Sequence, residues 1–172
     1  MYFVTFTVTH WVDLFIRNEY KEIVLNSIRY CQQNKDLEVY GWCMMTSHIH
    51  MIVGSKGNSL SDIMRDLKRH SSEMLHIAIA KNAKESRREW LLKMFRNEGE
   101  SNNNKFQLWQ PESHPVALVT AKIAHQILEY IHYNPVETGF VKHTNAWLYS
   151  SAVDYNGGKG LLDIILLDPM IM

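Results

Sequence analysis

Residues 38–53 read EVYGWCMMTSHIHMIV and contain two runs of strand-forming residues separated by a two-residue connection. We predict that Glu38–Met45 and His48–Val53 are strands that pair as a hairpin. Because successive strand side chains point to opposite faces, His48 and His50 are expected on the same face of this hairpin. The stretch therefore predicts both the start of a sheet and two imidazoles on one side of it.

The segments on either side of the hairpin supply a further strand and two helices. Tyr2–Thr9 alternates aromatic or aliphatic residues with threonine, which is typical of a strand. Arg17–Asn34 has apolar residues at helical spacing, so we predict a helix there. After the hairpin, Ser59 is predicted to cap a long helix that carries Asp62 in its first turn.

The second half of the chain adds one strand and one helix. Asn97–Asn104 is polar and is predicted to be a loop, and Phe106–Trp109 is predicted to be a short strand. A last helix is predicted over Val119–Asn134, and we expect it to stop there because Pro135 disfavours helical geometry at the preceding residue. This order predicts an α+β fold of ferredoxin-like or RRM-like type, an antiparallel sheet with helices on one face plus the last helix.

Composition limits the class of protein. The chain has 172 residues, 46% hydrophobic and 21% charged, which is typical of one soluble globular domain with a proper core. No basic leader precedes an apolar segment at the N-terminus, and no stretch is long and apolar enough to span a membrane, so we expect a cytoplasmic protein. Cys31 and Cys43 lack metal-type spacing and are interpreted as reduced thiols.

The charge distribution is more informative than the net charge, which is zero. A neutral chain argues weakly against nucleic acid as a partner, because most proteins that bind it are basic. Residues 59–96, however, contain nine basic and five acidic residues, a local net charge of +4. Such a region can bind phosphates, although a solvated helix face explains the charge equally well.

Two neutral imidazoles on one strand face suit a divalent metal ion, and oxygen ligands would extend the choice to magnesium or manganese. The pattern of His48 and His50 by itself is weak evidence, because a strand with two partly exposed histidines looks the same.

The last helix offers a second set of chemically useful residues. Helical spacing places Tyr130 and Asn134 on one face, one turn apart, where they present a phenol and an amide oxygen. A tyrosine on such a helix is more often a core residue with its hydroxyl at the surface, and Tyr133 competes with it for any active role. His125 and His132 are interpreted as flanking surface residues.

The order and spacing of these segments resemble the single-tyrosine transposases of the HUH superfamily, and most closely the REP-associated tyrosine transposases of IS200-like type. The segments that carry the resemblance are His48-Ile49-His50, Tyr130-Ile131-His132-Tyr133-Asn134-Pro135-Val136 and Trp147-Leu148-Tyr149-Ser150-Ser151. The resemblance covers about Tyr2 to Ser151. It implies one transposase domain over residues 1–151 and a tail over residues 152–172 that packs on or extends that domain.

The resemblance also implies a site and a reaction. Its metal ligands would be His48, His50 and Asn134, holding Mg²⁺ or Mn²⁺, and Tyr130 on the last helix would be the catalytic nucleophile. The implied activity is a metal-dependent nuclease and strand transferase that forms a 5′-phosphotyrosine intermediate on single-stranded DNA. The basic residues implied to contact DNA are Arg65, Lys68 and Arg69.

The implied partner is single-stranded DNA, at hairpin ends, bound by a monomer or homodimer that is nucleoid-associated when it acts. Single strands are held by basic grooves and by aromatic stacking. The available aromatic side chains are Trp11, Tyr40, Trp90 and Trp109, and the sequence does not select among them.

Two alternatives remain open from the residues. The first is a domesticated, catalytically weak protein that binds single-stranded DNA hairpins. The second is an unrelated metal hydrolase that uses the histidine pair with an activated water and has no need of Tyr130. The sequence also leaves open which group accepts the tyrosine proton, and whether one chain or two complete the site.

Overall fold

The predicted hairpin forms one side of a four-stranded antiparallel sheet in the computed structural model, which describes residues 1–111 and 114–168. The strands are β1 (Tyr2–Thr7), β2 (Leu37–Met44), β3 (His48–Ser55) and β4 (Val116–Ala117). Their order across the sheet is β2-β3-β1-β4. With a helix after β1 and another after β3, this is the ferredoxin-like arrangement that the sequence predicts.

Five α-helices accompany the sheet in the described residues. They are α1 (Asn18–Asn34), α2 (Leu60–Lys81), α3 (Arg88–Ser101), α4 (Ala121–Glu137) and α5 (Ala152–Tyr155). Ser59 caps α2 as predicted, because its hydroxyl accepts a hydrogen bond from the backbone N–H of Asp62. Within the described ranges, none of the helices is both long and apolar enough to cross a bilayer.

Strand alternation gives the sheet two different faces. Val4 and Phe6 of β1 are buried in the main core with α1 and α2. Phe3 of the same strand packs in a second, smaller cluster with Leu128 and Ile131 of α4. The helices α1 and α2 therefore cover one face of the sheet, and α4 covers the other. The histidine pair lies on the face that α4 covers.

The helix α3 was not predicted, and the predicted loop over Asn97–Asn104 is wrong for residues 97–101. Leu91 and Phe95 lie one turn apart on α3 and are fully buried. Gly99 continues this buried side, where any side chain would collide with the backbone of Phe106. Tertiary packing of this stripe outweighs the polar composition of the segment.

The predicted strand over Phe106–Trp109 is also wrong. Only a single bridge joins Trp109 to Val8, next to the end of β1. The fourth strand is instead Val116–Ala117, a two-residue pairing with the start of β1. Local composition could not reveal it, because two residues carry no periodicity and the pairing is defined by β1.

The last helix does not end at Asn134 but continues through Pro135 to Glu137. Pro135 has no N–H to donate to the carbonyl four residues before it, so the helix lacks one hydrogen bond in its last turn. The backbone N–H of Thr138 still donates to the Asn134 carbonyl at 3.1 Å. Gly139 then adopts a left-handed φ of +78° and ends the helix.

The chain after α4 returns to β2 and to the main core. Leu162 is buried in that core, and the backbone N–H of Ile165 donates to the Val39 carbonyl at 2.9 Å. The final residues of the predicted tail, 169–172, lie outside the described residues.

Candidate active site

The histidine pair lies on β3, on the sheet face that α4 covers. In the pairing of β3 with β1, His48 lies opposite Thr7 and His50 opposite Thr5. The two imidazole centroids are 4.6 Å apart. Strand alternation thus brings both rings to one place, as the sequence predicts.

A hydroxyl group holds each imidazole by its Nδ1 atom. His50 Nδ1 lies 2.8 Å from the Thr5 hydroxyl, and His48 Nδ1 lies 3.1 Å from the Ser47 hydroxyl. With an N–H on Nδ1 donating to each hydroxyl, the Nε2 lone pair of each ring is available to a further ligand. Metal-binding histidines are oriented in this way, by a hydrogen bond from the ring nitrogen that does not bind the metal.

The environment keeps both imidazoles neutral. Burial lowers the pKa of His50 to about 3, and the neighbouring His48 adds to this effect. Burial also lowers the pKa of His48. Because only a neutral imidazole can coordinate a metal, both rings are in the required state at neutral pH.

Tyr130 of α4 reaches this histidine pair within the same chain. Its ring centroid is 5.5 Å from that of His50 and 6.3 Å from that of Phe3. The residue is 46% exposed, so a ligand can approach it from solvent. Tyr133 is 55% exposed and takes no part in these ring contacts. The structure therefore distinguishes the two tyrosines that the sequence leaves in competition.

Asn134 lies one turn beyond Tyr130 and is buried. Within the described residues, no hydrogen bond joins its amide to either imidazole. Those residues also contain no group of three or more His, Cys, Asp and Glu side chains placed to hold a metal. An amide oxygen such as that of Asn134 is a donor that Mg²⁺ and Mn²⁺ accept.

The three basic residues proposed to contact DNA lie on α2, on the other side of the sheet. Lys68 packs inward: its ammonium is 4.9 Å from the Phe6 ring centroid and donates to the Gln110 carbonyl at 3.1 Å. Burial lowers its pKa. Arg65 and Arg69 are exposed. The structure does not gather these residues at the histidine pair.

The prediction that His132 is a surface residue is wrong, because its side chain is buried between α4 and β2. His132 Nε2 lies 2.8 Å from the Ser151 hydroxyl, which also accepts a hydrogen bond from the Trp42 backbone N–H at 2.9 Å. Burial lowers the pKa of His132 to about 4. The sequence contains a signal for this, since His132 follows the buried Leu128 by one helical turn. His125, predicted to be a surface residue, is half-buried, and its Nε2 lies 2.8 Å from the Asp168 carbonyl oxygen.

The segment Trp147–Ser151, whose role the sequence does not reveal, runs along the free edge of β2. The Met44 N–H donates to the Tyr149 carbonyl at 2.8 Å, and the Ser151 N–H donates to the Trp42 carbonyl at 2.9 Å. The segment covers an edge that would otherwise be open, and it carries the hydroxyl that holds α4.

Comparisons with known proteins give a family match and two structural matches. A family model described as "Transposase IS200 like" matches residues 2–134. No curated protein gives a significant match to the sequence.

Two solved structures match the chain. A REP-associated tyrosine transposase bound to a REP hairpin superimposes with a TM-score of 0.65 at 18% identity, over 99% of this chain and 92% of the other. A putative transposase from Deinococcus radiodurans gives a TM-score of 0.45 at 18% identity, over 76% of this chain and 86% of the other. At this level of identity the first likeness shows a shared fold.

Proposed function

This chain belongs to the IS200-like transposase family, and from that premise we propose that it is a metal-dependent nuclease and strand transferase for single-stranded DNA. The observation that carries the proposal is the contact, within one chain, between the Tyr130 ring and the His50 imidazole, whose centroids are 5.5 Å apart. It brings an oxygen nucleophile beside two neutral nitrogen ligands, and the partial exposure of Tyr130 leaves room for a substrate phosphate.

The residues that would hold a divalent ion are His48 and His50, through Nε2, and Asn134, through its amide oxygen. Mg²⁺ or Mn²⁺ bound there would polarise the scissile phosphate and offset the charge that develops on its oxygens. Thr5 and Ser47 support this set by orienting the two rings through Nδ1.

Tyr130 would carry the covalent chemistry. Its phenolic oxygen attacks phosphorus, an O–P bond forms and the bond from phosphorus to the 3′-oxygen breaks; the 3′-oxygen takes up a proton from solvent and leaves as a hydroxyl. The product is a 5′-phosphotyrosine, so the phosphoester bond is conserved and a second DNA 3′-hydroxyl can reverse the step without ATP. The phenol must lose its proton, and solvent can accept it because the side chain is partly exposed.

We propose that the substrate is single-stranded DNA at hairpin ends, on genomic DNA in the cytoplasm. The similar REP-associated transposase is bound to a REP hairpin, which supports this substrate class. The contact between Tyr130 and His50 of one chain supports a site that a monomer completes by itself. Arg65, Lys68 and Arg69 remain proposed DNA contacts, and the exposure of the two arginines favours them over the inward-packed Lys68.

The test is covalent trapping. The protein is incubated with labelled single-stranded DNA hairpins from its source genome and Mg²⁺ or Mn²⁺, then denatured and separated by electrophoresis. We expect a covalent protein–DNA band that Tyr130→Phe abolishes and that Tyr133→Phe, the matched control one turn away, retains.

Other outcomes point to the alternatives. Cleavage that persists in Tyr130→Phe would favour a hydrolase that uses an activated water. Hairpin binding with no adduct under either metal would favour a domesticated binding protein.

A further inference from the structure

An exposed tryptophan stands beside the histidine pair. The Trp11 ring meets His48 edge-on, with centroids 5.5 Å apart, and the residue is 60% exposed. Large apolar side chains at such exposure are usually scattered over a surface, whereas this one adjoins the candidate metal ligands. Its position therefore calls for a functional explanation.

The other three aromatic side chains considered as stacking residues are less suitable. Trp109 is buried in the main core. Tyr40 is only partly exposed, and its hydroxyl donates to Glu38 at 3.0 Å. Trp90 is 53% exposed on α3 but takes no part in the ring contacts around the histidines. Exposure and proximity together select Trp11.

The backbone at Trp11 is strained. His10 and Trp11 both have a φ of +56°, in the left-handed region that residues with a Cβ rarely adopt. Consecutive residues of this kind persist only where the surrounding structure holds them, and they are concentrated at functional sites. His10 is held by Glu98 of α3, with 3.1 Å between Nε2 and Oε2.

The strained segment is also anchored to the turn that precedes His48. The Val8 N–H donates to the Ser47 carbonyl, and the Phe15 N–H donates to the Thr46 carbonyl, both at 2.8 Å. Two hydrogen bonds thus bracket Trp11 and connect it to the residues immediately before the first histidine. These bonds fix the backbone on both sides of Trp11 relative to the histidine pair.

We propose that Trp11 is a stacking platform for an unpaired nucleobase, namely the base next to the phosphate that the histidine pair receives. The inference rests on the proposed function, because it takes that phosphate as the point from which the strand extends. An indole face binds any base by stacking and requires that base to be free of its duplex partner. Trp11 accordingly favours single-stranded over duplex DNA.

The experiment separates base contacts from backbone contacts. In the Tyr130→Phe background, which prevents strand cleavage, the affinities for fluorescein-labelled dT₂₀ and for an abasic oligomer of the same length are measured by anisotropy with Mn²⁺. Trp11→Leu keeps an apolar contact with His48 but has no aromatic face, and Trp11→Phe keeps an aromatic face. Trp90→Leu is the control for an exposed tryptophan that makes no ring contact with His48 or His50.

We expect the background protein to bind dT₂₀ more tightly than the abasic oligomer, and Trp11→Leu to reduce that preference by about tenfold. The affinity of the Trp11→Leu variant for the abasic oligomer should stay within about twofold of that of the background protein, since phosphate contacts are unchanged. Trp11→Phe should keep most of the preference and Trp90→Leu all of it. An unchanged preference in a folded Trp11→Leu variant overturns the proposal, as does an equal loss of affinity for both DNAs, or no binding of either.

This experiment can fail separately from the catalytic one. A preference that depends on Trp11 in a protein that forms no tyrosine adduct would leave the stacking platform standing and reject the transferase. An adduct that forms normally, with a base preference independent of Trp11, would support the transferase and reject the stacking platform.

Discussion

The His132 imidazole is hydrogen-bonded to the Ser151 hydroxyl, with 2.8 Å between Nε2 and Oγ, and this bond fastens the helix that carries Tyr130 to strand β2. The same hydroxyl accepts the Trp42 N–H, and Trp42 is followed by Cys43, which pairs with His50 across the sheet. One buried hydroxyl therefore connects α4 to the strand beside the histidine pair. Burial makes the bond costly to break, because the groups it leaves behind are out of reach of water.

We expect Ser151→Ala to lower the free energy of unfolding by about 1–3 kcal/mol, because it leaves buried polar groups of His132 and Trp42 without a partner. Urea unfolding measures this loss. The rate of adduct formation should also fall, since Tyr130 is less well positioned. Ser72→Ala, on α2 and outside these contacts, is the control and should leave both quantities unchanged. A fully active, stable Ser151→Ala protein would contradict the positioning role.

The contact between Tyr130 and His50 within one chain predicts that inactive chains cannot rescue each other. We expect a mixture of the His50→Ala and Tyr130→Phe proteins to form no covalent adduct with hairpin DNA, because neither chain has a complete site. Denaturing electrophoresis measures the yield of adduct in this mixture and compares it with the yield from wild type diluted with either variant. Recovery of the adduct in the mixture would instead show that the tyrosine helix serves a neighbouring chain.

The assignment of Asn134 as a metal ligand rests on the family resemblance and on its position one helical turn after Tyr130. If its amide oxygen coordinates the ion, Asn134→Ala should weaken Mn²⁺ binding at least about tenfold, as expected for loss of one ligand or its support. Asn134→Asp should keep binding, since a carboxylate oxygen suits the same ion. Isothermal titration calorimetry of the full chain measures both. His50→Ala is the positive control, and equal affinities in Asn134→Ala and wild type would remove Asn134 from the site.

Glu85 predicts a loss of stability in acid. Burial alone would raise its pKa, but hydrogen bonds from Arg87 and Arg17 outweigh burial and hold the pKa at about 2. The side chain is 1% exposed. A glutamate has a pKa of about 4.3 when unfolded, so the carboxylate contributes its full stability above about pH 5 and loses it as the pH falls toward 2.

We therefore compare the wild type with Glu85→Gln between about pH 5 and 2.5. Over this range the free energy of unfolding of the wild type should fall by about 2–3 kcal/mol more than that of Glu85→Gln. Urea unfolding at a series of pH values measures the difference. Glu89→Gln removes a carboxylate that is 85% exposed and should follow the wild type. Parallel curves for wild type and Glu85→Gln would mean that the two arginine contacts do not stabilise the fold.

Local patterns predict much of the scaffold. Alternation in the hairpin places His48 and His50 on one face, and the Ser59 cap marks the start of α2. Both features depend on residues within a few positions of each other, where backbone geometry dictates side-chain direction. The family resemblance adds the proposed roles of Tyr130 and Asn134, which no local pattern could supply.

Other features are invisible to local patterns because distant residues create them. The helix α3 is stabilised because Leu91 and Phe95 pack into the core. The strand β4 forms because its two residues pair with the edge of β1. His132 is buried because Ser151, nineteen positions later, meets it beside β2.

The sequence by itself determined the two histidines on one strand face, the tyrosine and asparagine one helical turn apart, and the order of the main elements. Only the tertiary structure decided that α4 crosses the histidine face of the sheet, so that Tyr130 meets His50 in its own chain, and that Trp11 stands exposed beside His48. The physical reason is that side-chain direction along one element follows from backbone periodicity. The meeting of two elements depends on packing and hydrogen bonds between residues far apart in the chain.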